Sequence, residues 1–311
     1  MKENFRHLPV LPREVLQYLR PETGGKFIDC TLGGGGHSRL ILQASEDVEL
    51  LGLDQDENAL KAAAANLAEF GERFKSCRMN FGDLAGLQED GWDQVDGILM
   101  DIGVSSHQID EAERGFSYMN DGPLDMRMDN RSELTAARIL NESSVDDLTK
   151  IFRDYGEERY ARRIAKAVVR ERDEVKQWER TGEFADLIKK ILGRRKAGSA
   201  PAPARCFQAL RIAVNRELDV LEEGLQAAFE RLKPGGRLVV ISFHSLEDRM
   251  VKNFFRELSL DCECPPELPI CNCSRKAEVK VMTRKAVMAT KEEINSNSRA
   301  SCSRLRAAEK L

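Results

Sequence analysis

No run of about eighteen apolar residues occurs anywhere in the sequence, so no helix of the length that crosses a bilayer is expected. The opening residues, Met1-Lys2-Glu3-Asn4-Phe5-Arg6-His7, lack the apolar stretch of an export signal, and the expected location is the cytoplasm, with no membrane partner. A large excess of one charge is also missing: the formal net charge of -4 does not by itself point to a polyanion. There is no Gly-Lys-Ser/Thr to close a phosphate-binding P-loop, no internal repeat, and no Cys-x-x-Cys doublet of the usual zinc spacing.

What is present supports a folded chain. Hydrophobic residues make up 41% of the 311, enough to bury a core in one large domain or two of ordinary size. Charge is unevenly spread, with 15 Lys/Arg against 6 Asp/Glu from Arg159 to Arg211, and 10 against 4 from Arg275 to Leu311. Such stretches are either solvated helix faces or the footprint of a polyanion. The eight cysteines should stay reduced in a chain without an export signal. Four of them, Cys262, Cys264, Cys271 and Cys273, form two close doublets around Pro265-Pro266 and Pro269. They could give four thiolates to one zinc or form a loop that only packs, and the spacing leaves both readings open without a firm metal assignment.

Periodicity organises the rest. Gly25 to Asp29 reads as a short buried strand, followed by a glycine run and a helix from about Ser38 to Ser45. Glu49 to Asp54 is a second strand ending on a carboxylate, with an alanine-rich helix from Glu57 to Phe70 behind it. Phe74 to Met79 and Val95 to Asp101 continue the series. Strands alternating with helices imply an α/β fold with a parallel sheet, whose ligands sit beyond the carboxyl ends of the strands, so Asp29, Asp54 and Asp101 should line one rim. After Asp101 a polar segment runs to Asp129, then helical stretches from about Ser132 to Leu192 suggest an inserted domain ending in the small-residue linker Ala197 to Ala204. One long helix from about Phe207 to Leu232 should return the chain to the sheet. A turn at Lys233-Pro234-Gly235-Gly236, a buried strand Arg237 to Ser242, a helix starting within Ser245 to Arg249, and strands at Glu278 to Thr283 and Ser303 to Ala308 complete it. The expected division is a first part over 1–108, a helical insert over 109–206 and a second part over 207–311.

The chemistry concentrates in Asp29-Cys30-Thr31-Leu32-Gly33-Gly34-Gly35-Gly36-His37-Ser38, where four glycines between a strand and a helix let the backbone approach a ligand closely. A dinucleotide fingerprint would need a third glycine where Ser38 stands. About twenty residues on, Asp54 could accept both hydroxyls of a ribose, or could instead cap the helix after it. Pro234-Gly235-Gly236-Arg237 before an apolar strand is a further element common in methyltransferases of this fold, and the three together favour S-adenosylmethionine over a nicotinamide cofactor.

Longer blocks then carry a specific resemblance. They are His7-Leu8-Pro9-Val10-Leu11, the glycine loop, Asp101-Ile102-Gly103-Val104-Ser105-Ser106, Arg114-Gly115-Phe116-Ser117 and Asp121-Gly122-Pro123-Leu124-Asp125-Met126-Arg127-Met128-Asp129. They continue with Tyr155-Gly156-Glu157-Glu158-Arg159, Phe207-Gln208-Ala209-Leu210-Arg211-Ile212 and Ile241-Ser242-Phe243-His244-Ser245-Leu246-Glu247-Asp248-Arg249. Together they resemble the bacterial ribosomal RNA small subunit methyltransferase H family, also called MraW. The resemblance implies a class I S-adenosylmethionine-dependent methyltransferase, a Rossmann-like doubly wound sheet with an inserted helical domain. It also implies methylation of the exocyclic N4 of a cytidine in the decoding region of 16S rRNA, on naked RNA or a small ribosomal subunit, with a homodimer left open. An assembly factor that keeps the cofactor pocket without turnover is the alternative.

Carried across, the resemblance implies that Gly35, Gly36, His37, Asp54, Phe81, Asp101 and Gln108 contact S-adenosylmethionine. Asp101 stands where amine-directed methyltransferases carry Asp/Asn-Pro-Pro-aromatic, although here the sequence reads Asp-Ile-Gly-Val; it is the candidate catalytic acceptor for the target amine. His37 is open between general base and positioning contact, and Phe81 between adenine contact and core. Arg159, Arg162, Arg163 and Lys166, with Arg170 at the same helical spacing, form a candidate RNA-binding stripe, joined by Arg205 and Arg211. Pairing with Glu157, Glu158 and Glu171 would explain part of that stripe equally. The sequence departs from the family pattern at Pro201-Ala202-Pro203-Ala204-Arg205-Cys206, where relatives usually read His-Pro-Ala-Thr-Arg.

Overall fold

Apolar runs bounded by turn residues set the strands, and the computed structural model places seven of them in one sheet among the described residues, which are 9–104, 109–193, 203–262, 264 and 273–311. The strands are β1 (Gly25–Asp29), β2 (Val48–Asp54), β3 (Phe74–Arg78), β4 (Val95–Asp101), β5 (Leu232–Ser242), β6 (Val279–Val281) and β7 (Arg304–Lys310). Their order is β3-β2-β1-β4-β5-β7-β6. The first five pair in parallel, and β7 runs antiparallel between β5 and β6. This is the expected class I methyltransferase architecture, and it brings the carboxyl ends of β2, β1 and β4 side by side. Each of these three strands is mostly buried, as a sheet covered on both faces requires.

The helices are α1 (Pro12–Leu19), α2 (Gly36–Ala44), α3 (Glu57–Asn66), α4 (Ala136–Glu142), α5 (Val145–Lys150), α6 (Ala161–Glu174), α7 (Thr181–Leu192), α8 (Ala204–Asn215), α9 (Glu217–Arg231), α10 (Ser245–Leu258) and α11 (Lys291–Ser296). Side chains satisfy the orphan N–H groups at several starts: Asp56 accepts from Asn58 at α3, Thr135 from Arg138 at α4, and Ser144 from Asp147 at α5. At α10, His244 and Glu247 form a reciprocal capping pair.

The chain divides into two compact units, Met1–Gly103 with Asp219–Leu311, and Val104–Leu218. The first holds the sheet, with one apolar core on each face. The second is helical and has its own core around Phe152, Trp178, Phe184 and Phe207. Within it Trp178 donates its indole N–H to the Val168 carbonyl at 3.2 Å and meets Phe184 edge-on at 6.0 Å between centroids.

Two expectations change. The return boundary falls at residue 218, not 206, because Phe207, Leu210 and Val214 of α8 are buried in the core of the helical unit. The expected single helix from Phe207 to Leu232 is two helices, broken at Arg216, which takes a left-handed conformation with φ 50°. The Asn215 side chain fixes that end, accepting from Met128 N–H and donating to the Met126 and Arg211 carbonyls. The linker is outside the described residues as far as Ala202.

Candidate active site

The glycine run turns the chain sharply from β1 into α2. Gly35 is the N-cap, with φ 80°, and a β-carbon there would lie 2.9 Å from Leu67 Cδ1, so no side chain fits without displacing its neighbour. The loop is fastened from both sides: Asn66 Nδ2 donates to the Gly34 carbonyl, and Gly33 N–H donates to Asp54 Oδ2 at 2.9 Å. The other oxygen of Asp54 accepts from Asp56 N–H at 2.8 Å. Asp56, not Asp54, caps α3, so Asp54 is held at the loop with lone pairs on both oxygens left for further donors. Burial raises the Asp54 pKa above the ordinary carboxylate value, against the lowering effect of those two N–H groups.

Asp29, expected on the rim, is instead a buried brace. It is 1% exposed and accepts from Ser38 Oγ at 2.6 Å and Thr31 N–H at 3.1 Å. Burial raises its pKa too, with the Ser38 hydroxyl acting the other way. The Thr31 hydroxyl accepts from Asp101 N–H at 2.7 Å, which ties the ends of β1 and β4 together. Thr31 and Ser38 were not among the expected site residues; the signal that could have found them is that both hydroxyls flank the glycine run directly behind a strand-ending aspartate.

Asp101 and His37 come together. Asp101 Oδ2 lies 3.6 Å from His37 Nε2, beyond hydrogen-bond distance. Asp101 Oδ1 and both His37 ring nitrogens are buried and meet no hydrogen-bond partner among the described residues. Buried polar atoms are almost always paired, so a cluster of three without partners beside a loop stripped of side chains fits a polar ligand. Gly35, Gly36, His37, Asp54 and Asp101 therefore lie on the connected ends of β1, β2 and β4. Those residues offer a ligand close backbone, two carboxylates with acceptor capacity to spare and an unpartnered imidazole.

Phe81 opens a short 3-10 turn after β3, with Asn80 accepting from Gly82 N–H at 3.0 Å. Its ring is half-buried and lies against α9 at Gly224, where a β-carbon would be 2.5 Å from Phe81 Cδ2. The segment behind it is held by Arg231, a buried arginine that the sequence did not single out. Its guanidinium donates to the carbonyls of Leu84, Leu87 and Trp92. Gln108 and Cys271 lie outside the described residues.

The basic residues separate. In the helical unit, Arg162, Arg163, Lys166 and Arg170 of α6 face Lys190 of α7 across a groove of 850 Å³ floored by Ala167, Leu187 and Ile191. Arg162 is paired with Asp146 at 2.9 Å. Arg159 is exposed just before α6, and Arg205 donates to the Glu157 carbonyl. Arg211 is spent internally: it is 15% exposed and makes a two-pronged pair with Glu217, both bonds 2.8 Å. No helix among the described residues is long and apolar enough to cross a membrane.

The family model described as the MraW methylase family matches residues 4–311. The chain is similar to proteins named ribosomal RNA small subunit methyltransferase H. It is 52% identical to that of Heliobacterium modesticaldum, with 99% of each chain covered. For that of Pelobacter propionicus the identity is 50%, again over 99% of each, and for that of Symbiobacterium thermophilum it is 50% over 99% of this chain and 97% of the other. On a family match that spans nearly the whole chain and relatives half identical over their full length, the chain belongs to the MraW methylase family and is an S-adenosylmethionine-dependent methyltransferase.

Proposed function

We propose that the protein methylates the exocyclic N4 of a cytidine in the decoding region of 16S rRNA, acting in the cytoplasm on small-subunit RNA or on the assembling subunit. The observation that carries the reading is the buried Asp101 oxygen without a partner, next to the equally unpartnered His37. When bound, the donor supplies an electrophilic methyl on a sulfonium. The cytosine amine is a weak nucleophile because its lone pair is delocalised into the ring. Asp101 accepts a hydrogen bond from one amine N–H, which turns the lone pair out of the ring plane and aims it for direct in-line transfer; the nitrogen gains the methyl and gives up its surplus proton through Asp101 to solvent. Alignment of this kind contributes on the order of 7–11 kcal/mol in well-oriented reactions, so a strong base is not required. His37 makes a positioning contact with the donor beside Asp101; Asp54 takes the ribose hydroxyls; Gly35 and Gly36 admit the donor; Phe81 lies against the adenine, and Gln108 completes the pocket.

RNA is held by the basic face of α6, with Arg162, Arg163 and Lys166 as phosphate contacts, joined by Arg159 just before the helix and by Arg205 of α8. Arg211 is left out, since Glu217 already occupies it. The target nucleotide must leave its stack to reach the donor.

Mass spectrometry of small-subunit RNA nucleosides with and without the protein tests the reaction directly. N4-methylcytidine at one position is expected; cofactor uptake with no methyl transfer to naked or assembled RNA would make the chain a non-catalytic assembly factor. Asp101→Ala at saturating cofactor is expected to slow the single-turnover step by about a hundredfold to a thousandfold, and an unchanged rate would remove Asp101 from the chemistry. Arg163→Ala with Lys166→Ala should weaken RNA binding and reduce the log-log salt slope by about 0.7–0.9 for each phosphate that is no longer neutralised.

A further inference from the structure

We infer that Cys262, Cys264 and Cys273 form a structural zinc site in the loop between α10 and β6. Their three Sγ atoms lie within 4.8 Å of one another. Zinc–sulfur bonds of about 2.3 Å at tetrahedral angles place the sulfurs about 3.8 Å apart, a spacing reached by side-chain adjustment alone. Cys264 N–H donates to Cys262 Sγ at 3.4 Å, which holds the two residues together.

The alternative, cysteines that only pack, looks different in this molecule. Cys30 and Cys206 are buried within apolar cores, whereas Cys262, Cys264 and Cys273 are half-exposed and belong to none of the three cores. Three half-exposed thiols converging outside a core gain little from burial and much from a shared soft cation.

The loop base is already closed. Arg275 donates to the Glu257 carbonyl at 2.7 Å and to its carboxylate at 2.8 Å, and Glu278 N–H donates to the Leu258 carbonyl at 2.8 Å. An ion bound above that base fixes the approach to β6, which pairs with β7 from Val279. On binding, each thiol gives its proton to solvent and forms one sulfur–zinc bond, with no change of oxidation state and the fourth position taken by another donor. α10 starts beyond the carboxyl end of β5 and spans about 21 Å over its 14 residues, so the cysteines lie at the edge of the sheet away from Asp101. The ion is therefore structural and takes no part in methyl transfer.

The full chain, purified without a metal-affinity tag and without added metal, is expected to carry about one zinc by elemental analysis. After removal by chelator under reducing conditions, cobalt(II) should restore occupancy and give a thiolate-to-cobalt charge-transfer band. Cys262→Ser with Cys264→Ser should lose both the zinc and the band while S-adenosylmethionine uptake stays within about twofold. Zinc below about a tenth of an equivalent with no cobalt band in the reduced wild-type protein would overturn the assignment, as would zinc that survives the double substitution. The cobalt titration of the wild-type chain keeps the test decisive if the variant does not fold.

Discussion

At Asp54 the shift in pKa gives the donor site a pH dependence of fixed sign. Burial disfavours the charged carboxylate more than Gly33 and Asp56 N–H favour it. In the proposed role of Asp54, gripping two ribose hydroxyls needs the charged form, so affinity is expected to be full above the raised value and lost as pH falls through it, at less acid pH than for an exposed aspartate. The stability contribution of the same residue runs the other way: its charged form costs stability above the raised value, and the cost disappears as pH falls between the folded and unfolded values. Calorimetric titration with S-adenosylmethionine from pH 7.5 downward should therefore show weakening while the protein remains folded by its tryptophan emission. Asp54→Ala should weaken uptake by about 1.5–3 kcal/mol for each hydroxyl bond removed, roughly 10- to 150-fold. Gly35→Ala forces a left-handed residue with a β-carbon against Leu67 and should cost at least about 1–2 kcal/mol of stability, read as a lower thermal midpoint. The glycine run and Asp54 were legible because their spacing in the chain carries the information. The bracing of Asp29 by Ser38 needed the three-dimensional turn, and Arg231 reaches a carbonyl 147 residues away, a relation that no local pattern records.

Among the elements, the strands were the most legible, since β1 and β4 occupy the expected Gly25–Asp29 and Val95–Asp101. Helix ends were less so. The helix expected to reach Phe70 is α-helical only to Asn66 and continues as a 3-10 segment from Ala68 to Arg73, with Gly71 at φ 55°. The break between α8 and α9 carries no glycine or proline; it arises because Asn215 is drawn to Met126 and Met128, a tertiary contact that overrides the helical pattern around it. The face of α9 that meets the loop after β3 offers a test. Gly224→Ala would drive a methyl into the Phe81 ring, costing about 1–3 kcal/mol by overpacking and moving the ring. S-adenosylmethionine affinity should drop together with the thermal midpoint; unchanged affinity would show that Phe81 serves the core alone.

The molecule as a whole carries two kinds of core, and the residues proposed to hold the donor, Gly35, Gly36, His37, Asp54, Phe81 and Asp101, all belong to the sheet unit. Trp178→Ala removes the largest side chain buried in the helical unit and should cost about 3–5 kcal/mol there. Scanning calorimetry should show an earlier transition for Val104–Leu218, while donor uptake in the cold is retained; simultaneous loss of both would mean that the units do not melt separately. Unit membership of α8 escaped the sequence because an apolar stripe does not say which core it will join; packing puts Phe207, Leu210 and Val214 in that of the helical unit. The sheet unit is also discontinuous in the chain, with β4 waiting for β5 across about 130 residues. At about 5–20 residues per second of synthesis, the open flank of β4 stays without its neighbour for roughly 7–26 s. Newly made protein thus passes through a stage in which the helical insert can complete its fold while the sheet unit still presents a bare apolar strand, the stage at which chaperones have most to act on.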